Sequence, residues 1–156
     1  MTAGLLDLRR ALTPADSLAG FADYAHDDAD RVDVPALSSS IDTVWDLYQD
    51  GKYSTVIAAL PDLIAEARHA AREAVGDDET AAAQALISTA CEVAAGVTIA
   101  LGKEDLSFTA VEKAVAAAED SGDELFRACS ANFAAWIYCR QGRYQESEDF
   151  AVAAAT

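Results

Sequence analysis

Cations are the scarcest resource of this chain: 11 lysines and arginines stand against 27 aspartates and glutamates, for a formal net charge of −16. Duplex nucleic acid is held by Lys and Arg neutralising phosphates, so most of this surface would repel it. Acidity of this kind serves solubility more often than an acidic binding face. There are only 3 cysteines (Cys91, Cys129 and Cys139), an odd number that falls inside helical segments without metal-ligand spacing. No disulfide framework is expected, which fits a reducing cytoplasm, and the three read as small buried hydrophobes. The 2 histidines, His26 and His69, are isolated in sequence, and His69 is expected on an exposed helical face. No stretch approaches 18 consecutive apolar residues, so no membrane span is expected. Asp7 precedes the first two arginines and no small-residue cleavage site follows, so the start does not read as a signal peptide. Period-two alternation is absent, and strands are not expected. Nor is there an EF-hand pattern, a phosphate-binding glycine loop or a His-x-x-x-His pair. Neither metal nor cofactor is expected, and enzymatic activity is not.

What is present is helix. The chain of 156 residues is 52% hydrophobic and rich in alanine, with only 3 prolines, enough for one domain with a core. A short amphipathic piece spans 4–12. Thr13-Pro14-Ala15-Asp16 has the form of a helix start, with Thr as N-cap and Pro at the first position; that helix should end by His26. The charged run from Asp27 to Pro35 reads as a linker. From about residue 37 the helical pattern strengthens. Ser38 to Ser40 can cap a helix to Asp50, with Gly51 as its left-handed C-cap. The next helix starts near Tyr53, and Pro61 should kink or divide it. Gly76 to Thr80 separates it from a helix running to Leu101. Asp105 should cap a helix to Asp120, Asp123 another to Gln141, and a last helix starts near Tyr144.

Three helix ends carry a shared signature: Val44-Trp45-Asp46-Leu47 before Gly51, Gly96-Val97-Thr98-Ile99 before Gly102, and Ala135-Trp136-Ile137-Tyr138 before Gly142. Tyr53 and Tyr144 lie two positions beyond the first and third glycines. The pattern resembles the tetratricopeptide repeat (TPR), which combines a small residue, a larger apolar residue and Gly-x-Tyr in register. The resemblance implies an all-α, TPR-like α-solenoid of antiparallel helix pairs over 35–156, about three pairs with the last truncated. An N-terminal helical extension and linker would occupy 1–34. The glycines are spaced more widely than the roughly 34 residues of that repeat, which implies an irregular stack. Val44 to Tyr53, Leu60 to Arg68 and Leu101 to Leu106 also resemble one group of bacterial regulators that join a Cro/repressor-type helix-turn-helix to a C-terminal repeat domain. Leu8 to Leu12 resembles the segment following their DNA-binding part. No basic recognition helix precedes residue 13, and the chain stops inside the expected third pair, so a fragment of such a regulator is expected.

In resembling repeats the residue one step beyond the small-residue site lines a concave groove. That step falls on Trp45, Val97 and Trp136, with Ile41, Tyr48 and Asn132 as neighbours on the same faces. Aromatics supply contact area and an amide can pair with ligand backbone, so these six residues are the candidate ligand-binding set. The tryptophans equally fit inter-repeat core, where large aromatics on solenoid helices are often structural. The implied function is regulatory: binding a peptide, protein or small signal molecule, with self-association into a homo-oligomer and no direct nucleic-acid contact. The alternative is a free-standing structural adaptor or self-assembly module without a ligand.

Overall fold

The computed structural model describes residues 2–17 and 30–155, and among these it contains seven α-helices and no strand. They are α1 (Thr2–Leu12), α2 (Val34–Gln49), α3 (Tyr53–Glu73), α4 (Asp77–Ala100), α5 (Glu104–Ser121), α6 (Glu124–Arg140) and α7 (Tyr144–Ala154), with a short 3₁₀ turn at Ala15–Ser17. The expected helix to His26 lies largely outside the described residues. From α2 onward, turns of two or three residues join each helix to the next, too short for anything but reversal onto the preceding helix.

Three of these turns are built alike. Gly51, Gly102 and Gly142 adopt positive φ (72°, 69° and 75°). In each, the following cation returns its backbone N–H over the glycine: Lys52 to the Leu47 carbonyl, Lys103 to Thr98 and Arg143 to Tyr138, all at 2.9 Å. Glycine reaches this left-handed conformation without a Cβ clash, and a positive side chain suits the negative end of a helix. A second repetition joins the pairs. Ser107 Oγ donates to the Ala95 carbonyl at 2.8 Å, and Ser147 Oγ donates to that of Ala135 at 2.7 Å. Both serines stand five residues past their glycines. In the first pair Val56 occupies that place and packs in the core instead.

Several helix boundaries differ from the sequence expectation. Asp33, not Ser38 to Ser40, caps α2: its carboxylate accepts from the Ala36 N–H at 3.1 Å, with Pro35 in the first turn, where no N–H is needed. Thr13 caps nothing, because its hydroxyl donates back to the Arg9 carbonyl of α1 at 2.9 Å. Pro61 does not divide α3, which continues through it. Lys103 rather than Asp105 sits at the start of α5, and Asp105 pairs with Arg9 on α1 at 2.9 Å. Asp123 caps α6 as expected, accepting from Leu125 N–H at 2.8 Å.

The core is organised around α4. Every residue from Cys91 to Ile99 is buried, including Glu92 and Thr98, because α2, α3, α5 and α6 all pack on this helix. A helix enclosed on all sides needs no polar face, which explains an apolar stretch long enough to cross a membrane by composition alone. Small residues set the spacing: Ala90, Ala94 and Ala95 meet Ala110 and Ala114 of α5 in one continuous core. Leu8 and Leu12 place α1 in the same core, against α3 and α5. Of the cysteines only Cys91 is buried; Cys129 and Cys139 are exposed on α6, correcting the expectation for those two.

Candidate functional site

Counting back from the structurally equivalent turns corrects the register of the central pair. Leu47, Thr98 and Tyr138 each accept the bond that closes a turn, so they are equivalent. Three residues before the first and last of these stand Val44 and Ala135, and three before Thr98 stands Ala95. The residue in phase with Trp45 and Trp136 is therefore Gly96, not Val97. Two adjacent small residues, Ala95 and Gly96, made the sequence register ambiguous by one. Val97 is 0% exposed and Ile41 2%, so both are core and neither reaches a ligand-accessible surface.

Gly96 shapes the site by what it omits. A Cβ there would stand 2.5 Å from Tyr48 Oη and 2.6 Å from Cζ, because the Tyr48 ring lies across the α4 backbone at this point. The ring occupies the place a third tryptophan would otherwise fill. Around it, α2 and α6 meet over the top of α4. The Trp45 and Phe133 rings are 6.1 Å apart at 70°, Phe133 and Trp136 6.2 Å apart at 81°, and Trp45 and Tyr48 6.1 Å apart at 60°. Tyr53 of α3 extends the ladder from Tyr48, with centroids 6.0 Å apart. The steep angles of the first three pairs set ring edges against ring faces, the arrangement aromatic quadrupoles favour, while Tyr48 and Tyr53 lie more nearly parallel at 31°.

The ladder walls an open depression of about 290 Å³, lined by Trp45, Tyr48, Gln49, Asn132, Phe133 and Trp136. Four of the six sequence candidates thus come together: Trp45, Tyr48, Asn132 and Trp136. Gln49, one turn beyond Trp45, and Phe133, three residues before Trp136, join them at helical spacings readable in the sequence. Trp136 is 37% exposed while Trp45 and Phe133 are half-buried, so the ladder is part core and part surface. Burial, then the neighbouring Tyr53, pushes the Tyr48 phenol above its ordinary range, so it stays neutral and able to donate. Two amides and one phenol are the polar groups offered to an occupant.

Beneath the depression, α6 is fastened to α4 by a buried polar chain. Ser88 Oγ donates to the Ala114 carbonyl at 3.1 Å, Ser88 and Ser130 hydroxyls meet at 3.0 Å, and Ser130 Oγ lies 2.6 Å from Glu92 Oε1. Three contacts need three hydrogens, and two hydroxyls supply two. With Glu92 ionised, Ser130 donates to it and Ser88 to Ala114, leaving the Ser88–Ser130 contact without a hydrogen. With Glu92 protonated, all three are satisfied in one direction, from Glu92 through both serines to Ala114. Burial accordingly raises the Glu92 carboxyl to about 7, against the lowering effect of the Ser130 hydrogen bond. Glu92 is 3% exposed, and the thiols that feel its charge are Cys129 on α6 and its neighbour Cys91. Nothing in the apolar periodicity marked this residue.

Other reactive side chains do not assemble into a centre. Burial pushes the Cys91 thiol up to about 12, far from a thiolate at neutral pH. His69 is more enclosed than its sequence suggested. Its Nε2 lies 3.5 Å from Glu73 without a hydrogen bond, while Asp16 pairs with the neighbouring Arg68 at 3.1 Å. Among the described residues no three His, Cys, Asp or Glu side chains are grouped to hold a metal ion. Comparison with protein-family models, with curated proteins and with solved structures finds no match to this chain.

Proposed function

We propose that this chain is a binding module whose helix pairs stack in a TPR-like manner, and that it serves as the ligand-responsive domain of a regulator. The observation that carries this reading is the aromatic depression, where the first and third helix pairs contribute facing walls. A peptide, protein segment or small signal molecule seated there touches both ends of the stack at once. Such a ligand shifts a conformational equilibrium to the extent that it binds one spacing of α2 and α6 better than another. The repeated glycine–cation turns and the paired serine hooks support a stack of like units. The acidic surface favours DNA contact elsewhere in any such regulator, and three free cysteines accord with a reducing cytoplasm. The fold offers the chemistry of recognition: aromatic area, two amides and a neutral phenol.

The test is the response of the two tryptophans. Ligand in the depression will shift the Trp45 and Trp136 indole resonances, and Trp136→Ala will weaken binding by about tenfold or more. Its cost in folding stability should be about 1 kcal/mol or less, because the ring is already partly in water. Ligands that bind the chain yet move neither indole would remove the depression from consideration.

A second reading, self-assembly, has its own observation. No residue of α7 is buried, and a groove of about 570 Å³ runs between α5, α6 and α7 past Val115, Ala131 and Phe150, with Glu119, Glu124 and Arg127 also on its walls. Light scattering on the full chain should then give a dimer mass, and Phe150→Glu should return it to a monomer. A monomer throughout the micromolar range discards this reading and leaves the first untouched.

A further inference from the structure

We infer that the occupant of the aromatic depression is cationic: the guanidinium or ammonium group of a basic peptide side chain, held over the Trp45–Phe133 end. The inference rests on the reading of the depression as a binding site and adds the chemical class of what it takes.

The chain shows the pairing once already. On α6 and α7, the Arg143 guanidinium sits 4.4 Å above the Tyr138 ring, with Glu146 completing the clamp by accepting from Arg143 Nε at 2.6 Å. Aromatic face, guanidinium and carboxylate form one unit there. The depression repeats two of those three parts and lacks the third. Its rings meet at 60°, 70° and 81° rather than stacking face on face, so each of these contacts covers one π face at most and leaves the others open. Among the described residues no cation covers them, and no charged side chain lines the depression.

Carboxylates stand at its edge. Asp42 precedes Trp45 by three residues and therefore shares the rim side of α2, with Asp46 one turn further on. Both are exposed, and neither belongs to an ion pair among the described residues. Arg140, the basic residue on this side of α6, lies a turn beyond Trp136. It disfavours a cation at that end and leaves the Trp45–Phe133 end, nearer Asp42, as the attractive one. The net charge of −16 draws a basic partner in from a distance and turns an acidic one away. A neutral apolar occupant would use the rings but leave this field unused.

Three acetylated, amidated hexapeptides decide the matter: alternating glycine–arginine, glycine–citrulline and glycine–glutamate. Citrulline keeps the planar urea shape of arginine and removes its charge. Each is titrated into the full chain at about 150 mM salt, where loose attraction to an acidic surface is screened. Binding is read by the two indole resonances. The arginine peptide should bind about tenfold tighter than the citrulline peptide, with both indoles shifting. Trp136→Ala should weaken it by about tenfold or more and Asp42→Asn severalfold, and the glutamate peptide should not bind. Equal affinity for arginine and citrulline, with the indoles shifting, overturns the cationic assignment while leaving the depression as a site. Arginine binding that is indifferent to Trp136→Ala and moves neither indole is general attraction to the acidic surface, and overturns the proposal. So does an absence of binding by all three.

Discussion

Replacing Glu92 by glutamine will flatten the pH dependence of stability between about pH 4.5 and 7. In the folded chain this carboxyl titrates near 7, and in the unfolded chain at the ordinary value of 4.5. The folded state therefore holds the proton more tightly, and the stabilisation is fully present below pH 4.5. It is lost at about 1.4 kcal/mol per pH unit as pH rises through this window, and is gone above about 7. The whole change amounts to roughly 3 kcal/mol, a large share of the 5–15 kcal/mol typical of a domain. Glutamine stays neutral, and its amide N–H can supply the third hydrogen of the Ser88–Ser130 chain. At pH 8 the variant should accordingly be the more stable protein. Urea unfolding of both proteins from pH 4.5 to 8 measures this. Other carboxylates act in the opposite sense: Asp105 beside Arg9 and Glu146 beside Arg143 are held below their usual range and lose that benefit only in acid. Both are fully exposed, and the comparison with Glu92→Gln subtracts them. Parallel slopes in the two proteins would show that Glu92 is charged throughout and the hydrogen count mistaken.

The second large effect is expected at Phe133. Its ring touches Trp45 on one side and Trp136 on the other, making it the link through which α6 meets α2. Phe133→Ala removes both edge-to-face pairs and part of the core packing, at a cost of about 2–4 kcal/mol for a half-buried ring. Helix α6 itself should persist, because Ile137, Ala134 and the Ser130–Glu92 contact still tie it to the core. Both tryptophans should become more solvated, giving a red-shifted emission before any unfolding. Trp136→Ala offers the contrast, since it removes a more exposed ring from the end of the ladder. If the two variants prove equally destabilising, Phe133 is an ordinary contact and not the bridge.

Much of the helix pattern was legible in the sequence because it is set locally. Alanine-rich segments punctuated by Gly51, Gly102, Gly122 and Gly142 define helices whose ends need no tertiary information. The failures share a physical cause. Thr13, Ser38 to Ser40 and Asp105 have the right chemistry for caps, but which polar side chain closes a helix depends on where the chain arrives from. Asp33 with Pro35 met that condition for α2. For the site, helical spacing placed Trp45, Tyr48, Asn132 and Trp136 together, since each belongs to a helix with one clear outer side. It misplaced Val97 and Ile41. Helix α4 is buried all round from Cys91 to Ile99, so periodicity cannot say which residue faces which neighbour, and a one-residue slip between Ala95 and Gly96 passes unseen. The same all-round burial hid Glu92, whose partner Ser130 on α6 is brought to it only by the fold.

Enclosure of α4 also has a mechanical meaning. A helix gripped on every side has no room to slide, so adjustment must come from the helices around it. Under the proposed function, helices α2 and α6 would act as two jaws on a fixed axle, with the Trp45–Phe133 contact at their inner edge. An occupant that wedges the jaws apart, or draws them together, produces its largest displacement at the turns farthest from the axle. Under the proposed function, a small change at one pair of rings would become a change in the distance between the first and last helix pairs, where any attached domain would feel it.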